Sequence, residues 1–157
     1  MFGIIRVSEG RGDCPINLNL QVTYMIDNEM SIEELEQDFW GEPSFSSYVV
    51  TTCHKARQKP IKDLSYEEIR CLIGQKIGLR FVLSVAIDIL QANPLIDVIY
   101  YEGDLLLAVL RLDLDDWKYN QDELKTFISI LQENRSKIEN FEEVSNELVN
   151  KYLQIRL

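Results

Sequence analysis

The stretch Asp113-Leu114-Asp115-Asp116 places three carboxylates within four residues. Acids that close together could hold a hard cation, share a proton in acid–base catalysis, or present negative charge to a basic partner. A calcium loop needs ligands at alternate positions and a glycine at its turn, and this stretch supplies neither. Glycosidase-type hydrolysis needs two acids facing each other across a cleft, which spacing alone does not establish. The pattern favours a partner contact or a solvated helix end, with metal or acid–base chemistry as the alternative.

Other reactive residues are sparse. The single histidine, His54, follows Cys53, and neighbours on a helix project about 100° apart, poor geometry for a nucleophile and its base. Adjacent residues also rarely share one metal, so His54 is expected to be a half-exposed helix residue. Cys14, Cys53 and Cys71 are widely separated and show no CxxC spacing, which reads as reduced structural thiols. The chain contains no GxxxxGK[ST], GxGxxG or GxSxG pattern. No nucleotide-cradling loop, nucleophilic serine, cofactor or metal is therefore expected.

Charge narrows the partner. Asp and Glu number 26 against 16 Lys and Arg, a formal net charge of −10, which repels nucleic acid and anionic lipid and speeds encounter with a basic protein. The charge is also segregated. Asp27, Glu29, Glu33, Glu34, Glu36, Asp38 and Glu42 form a stretch without a basic residue, and Lys55, Arg57, Lys59 and Lys62 follow without an acid. Acidic stretches meeting on one face would make a docking field for a cationic partner.

The elements that must position these groups are mostly helical. At 157 residues one compact domain, residues 1–157, can bury roughly 70% of its unfolded surface. Alternation at Ile16, Leu18, Leu20, Val22 and Tyr24 predicts a strand, and Phe2 to Val7 could pair with it as a small N-terminal hairpin. Gly10, Gly12 and Pro15 supply the turn, and Arg11-Gly12-Asp13 within it is read as turn chemistry alone.

Ser31-Ile32-Glu33-Glu34, Ser65-Tyr66-Glu67-Glu68 and Asn120-Gln121-Asp122-Glu123 carry capping-box patterns. They predict helices from Ser31 to Trp40, after Ser65, and from Asp122 to Glu133. Further helices are expected from Phe45 or Ser46 to Arg57, from Leu79 to Gln91, from Leu105 to Leu112 with Asp104 as cap, and from Phe141 to Leu153. Arg135 to Asn140 reads as a polar connector. Leu79 to Gln91 leaves almost no polar face, which places it at the centre of a bundle. The fold class is thus mainly α. Val144, Leu148 and Tyr152 on the last helix could pack internally or across a dimer, and the oligomeric state stays open.

The longest apolar runs, Val82 to Leu90 and Leu105 to Leu110, are too short to span a bilayer and are expected in the core. The start, Met1-Phe2-Gly3-Ile4-Ile5-Arg6, lacks the features of a secretory signal, so a cytoplasmic protein is expected.

One block of residues carries a family resemblance. It includes Lys59-Pro60-Ile61, Leu64-Ser65-Tyr66-Glu67-Glu68-Ile69-Arg70, Leu72-Ile73-Gly74-Gln75 and Gly78-Leu79. It continues through Ala86-Ile87-Asp88-Ile89-Leu90, Asn93-Pro94-Leu95 and Tyr101-Glu102-Gly103-Asp104-Leu105-Leu106 to Trp117, with Leu35-Glu36 and Asp38-Phe39-Trp40 ahead of it. Over Ser31 to Trp117 the chain resembles immunity proteins of bacterial contact-dependent growth inhibition (CDI) systems.

The resemblance implies a non-enzymatic inhibitor that binds the toxic C-terminal domain of a delivered effector, often a nuclease. Such a toxin must be basic to hold phosphates, so an acidic inhibitor can steer to it. The shared motif residues read as scaffold, so the contact is expected among the variable acids. These are Asp113, Asp115 and Asp116, then Glu33, Glu36 and Glu102. A helical regulatory or scaffold protein with another cytosolic partner is the alternative, followed by a carboxylate enzyme.

Overall fold

A computed structural model of the chain describes residues 28–44, 46–142 and 144–155. The expected hairpin, Cys14 and Asp27 lie outside these residues. Among the described residues there are eight α-helices, two short 3-10 turns and no strand.

Helix α1, Ile32–Glu36, starts as its sequence dictates: Ser31 Oγ accepts from the Glu34 N–H at 3.3 Å, and the Glu34 carboxylate accepts from the Ser31 N–H at 2.8 Å. It is shorter than expected, because Gln37 turns left-handed at φ 53° and ends it before Trp40. Helix α2, Tyr48–Arg57, is capped by Ser47 and so begins later than Phe45 or Ser46. A 3-10 turn, Ile61–Asp63, leads to α3, Tyr66–Gly74, opened by the Ser65–Glu68 capping box.

Left-handed Lys76 and Gly78, at φ 56° and 60°, separate α3 from α4, Leu79–Ala92. A Cβ at Gly78 would lie 2.9 Å from Ile32 Cδ1, so glycine is required there for both conformation and space. Helix α5, Asp104–Leu110, is buried at all seven positions, more completely than α4, and is the innermost element. A second 3-10 turn, Leu114–Trp117, connects it to α6, Gln121–Glu133.

Two boundaries correct the sequence reading. Arg135–Glu139, expected as a connector, is helix α7, anchored by fully buried Ile138. The last helix, α8, covers Asn146–Leu153 rather than starting at Phe141, because Ser145 provides its cap. The expected cap at Asn120 also forms differently: its side-chain amide donates to the Arg80 carbonyl at 3.2 Å and makes no cap bond.

Asp104 does not cap α5 in the ordinary way either. Its carboxylate, with no exposed surface, accepts from the backbone N–H groups of Val98, Ile99 and Tyr100 at 3.1–3.2 Å, folding the preceding loop onto the helix start.

Helix α3 packs against α2, α4 and α5; α4 packs on α6, and α6 on α8. One continuous apolar core runs through them. At one end Trp117, Phe127 and Tyr152 stack and cross with ring centroids 5.2–6.1 Å apart. Val144, just before the last helix, and Tyr152 within it are buried in this core, and Leu148 packs against it, so these apolar residues are spent internally.

Candidate docking surface

The acidic turn divides its three carboxylates between different tasks. Asp116 accepts from the Asp113 N–H at 2.8 Å, closing the 3-10 turn, and its carboxylate lies 2.7 Å from Lys76 Nζ. Asp113 is also 2.7 Å from Lys76 Nζ. These hydrogen bonds to Asp113 and Asp116 raise the Lys76 ammonium above its ordinary value, and the same contact holds the Asp113 carboxyl below its own. Asp115 is exposed and, among the described residues, has no cationic partner. Leu114, 49% exposed, stands between the acids, and Trp117 anchors the turn in the core.

The other candidate residues separate. Glu102 is exposed at the mouth of the 97–103 loop, where Asp97 and Glu102 form an antiparallel bridge. Glu36 is clamped to Arg57 Nη1 at 2.6 Å. Glu33 is buried, and its carboxylate accepts from the Trp40 N–H at 3.2 Å. Its carboxylate is spent on holding the segment after α1. Asp113, Asp115, Glu102 and Glu36 are the expected contacts that face solvent, Asp113 and Glu36 each with a cationic partner in the chain.

The first acidic stretch and the basic stretch after it meet in part. Lys62 pairs with Glu29, Arg57 with Glu36 and Asp38, and Lys59 with Glu68 at 2.6 Å. Arg57, only 1% exposed, was the residue that sequence reasoning missed. Its guanidinium donates to the Asp38 carbonyl at 2.7 Å and lies 4.1 Å from the Trp40 ring centroid, fixing the segment after α1. The signal was present in the adjacency of oppositely charged stretches.

Chemistry at Cys53 and His54 is disfavoured by their setting. Cys53 is buried, and burial with the neighbouring Cys71 pushes its thiol up to about 11, so it stays neutral at ordinary pH. His54 is half-buried against Trp40, ring centroids 5.0 Å apart. Among the described residues no group of three or more His, Cys, Asp or Glu is placed to hold a metal ion. No helix among them is long and apolar enough to cross a membrane.

A family model described as CDI immunity proteins matches residues 34–127, more than half of the chain. The matched span runs from within α1 into α6 and includes the acidic turn. No curated protein and no solved structure matches the chain.

Proposed function

We propose that this chain, which belongs to the CDI immunity proteins, binds the toxic C-terminal domain of its cognate effector and neutralises it. The family match carries this reading, and the match begins and ends close to where the sequence resemblance does. The toxin is read as a nuclease, because a nuclease must present a basic surface to phosphates and this chain carries a net charge of −10. The same charge argues against direct contact with nucleic acid. The inhibitor acts in the cytoplasm by occlusion, without catalysis or a cofactor, and residues 1–157 work as one binding unit.

The proposed contact is the edge formed by Asp113, Leu114 and Asp115, with Glu102, on the loop before α5, as a separate acidic point. Acids there steer a basic domain into encounter, and exposed Leu114 offers the apolar anchor that charge alone does not provide. Complete protection calls for tight binding, of about nanomolar Kd or better.

Stopped-flow mixing with the purified toxic domain tests the placement. Asp113→Asn with Asp115→Asn should slow association severalfold at low salt and flatten its salt dependence. Unchanged association kinetics would remove this edge from the interface. Tight capture without inhibition would instead favour a regulatory or scaffold role.

A further inference from the structure

Beside the acidic turn lies a cleft of about 200 Å³ whose lining includes Arg70, Ile73, Gly74, Lys76, Arg111 and Leu112. It sits where α3 and α5 end, and several of the carbonyls there already have donors. Leu110 and Leu112 accept from Lys151 Nζ at 3.2 and 2.7 Å, and Leu112 also accepts from the Tyr152 hydroxyl at 2.8 Å. Cys71, Leu72 and Ile73 accept from the backbone N–H groups of Gln75, Ile77 and Lys76.

The charged side chains of the lining are all cations. Lys76 is engaged with Asp113 and Asp116. Arg111 is exposed and has no ion-pair partner among the described residues. Arg70 is held with its guanidinium 4.8 Å from the Tyr100 ring centroid. Its Nε forms a long ion pair, 3.7 Å, with buried Asp104 and has no hydrogen bond of its own, so the remaining guanidinium donors are the ones left for the cleft. Gly74 adds no side chain to fill the space beside Arg70 Nη1.

We propose that this cleft receives a carboxylate side chain from the toxin domain, with Arg111 and Arg70 as its donors. The inference rests on the toxin-binding reading and deepens it. A cleft of this size admits an aspartate or glutamate side chain, and a chain of net charge −10 disfavours a polyphosphate. Guanidinium groups suit the planar carboxylate. Because Asp113 and Asp116 are paired with Lys76 of its lining, the surface alternates in sign. A toxin would need cations facing the turn and an acid facing the cleft, and a domain with another charge order would meet like-charge repulsion.

Two arms test this. In the free chain, the side-chain Nε–H signals of Arg70 and Arg111 are followed by NMR during titration with sodium acetate, against sodium chloride of equal ionic strength. Saturable movement in acetate, absent from surface Arg135 and lost in Arg111→Gln, is expected. Movement equal in the two salts would overturn the site. Stronger saturation by inorganic phosphate than by acetate would overturn the carboxylate assignment.

In the second arm, Arg111→Glu should weaken toxin-domain binding about 10- to 100-fold, the loss expected for a charged hydrogen-bonded contact. The Arg111 side chain is exposed and makes no hydrogen bond or ion pair among the described residues, so the variant should fold. Unchanged affinity in Arg111→Glu would overturn the proposal and leave the immunity reading intact. Failure of the unmodified chain to bind the toxin domain would reject the immunity reading and, with it, the toxin carboxylate as occupant, even if the acetate arm were positive.

Discussion

The Tyr152 hydroxyl is a buried hub: it donates to the Leu112 carbonyl at 2.8 Å and accepts the Trp117 indole N–H at 3.2 Å. Tyr152→Phe keeps the aromatic packing but leaves that indole N–H unsatisfied, while the Leu112 carbonyl keeps its bond from Lys151. Urea unfolding should show a loss of about 1–3 kcal/mol. Stability equal to the parent would mean the hydroxyl is dispensable. Burial also pushes the Tyr152 phenol up to about 12 from an ordinary 10.0. The unfolded chain therefore releases that proton first, and stability should fall as pH rises above 10, less steeply in Tyr152→Phe. Asp104 is the second such residue. Asp104→Ala would strand three backbone donors, costing about 3 kcal/mol in the same assay.

Among the elements, the junction between α3 and α4 is the least tolerant. Gly78→Ala must hold a left-handed backbone and push its methyl group against fully buried Ile32. A loss of about 2 kcal/mol is expected on thermal or urea unfolding, and a neutral effect would contradict the close approach.

Helix starts marked by Ser31 with Glu34 and Ser65 with Glu68 were legible because their signals are local. Helix ends were less so. Gln37 ends α1 in a conformation usually given to glycine, so nothing in its type announced the stop. Helix α7 was missed because one buried residue, Ile138, cannot make a period. The Asp104 and Asn120 side chains looked like caps, but Asp104 is taken by the N–H groups of the loop just before it and Asn120 by the distant Arg80 carbonyl.

At the scale of the molecule, the charge pattern was legible in composition and misleading in order. The acids of Glu29 to Asp38 and the bases of Arg57 to Lys62 neutralise one another across the fold, which one-dimensional reading cannot show. Asp113, Asp115 and Glu102 are among the many acids that stay exposed, and Asp113 and Asp115 flank an exposed leucine. The pairing has a pH signature at Glu68. Burial pushes its carboxyl up, but hydrogen bonds from Lys59 and the Ser65 N–H outweigh it, and the group sits below its ordinary 4.5. Its contribution is fully present above pH 4.5 and is lost as pH falls through the lowered folded value. Glu68→Gln should be less stable than the parent at neutral pH, with a shallower acid limb. Parallel acid limbs would show that the pair contributes nothing.

Membership in the CDI immunity proteins makes protection the central claim. Its most direct measurement is growth of cells induced to express the toxic C-terminal domain of the cognate effector, with and without this chain. Restored growth together with co-purification of the two proteins is expected. Arrest of growth despite comparable expression of this chain would contradict the account.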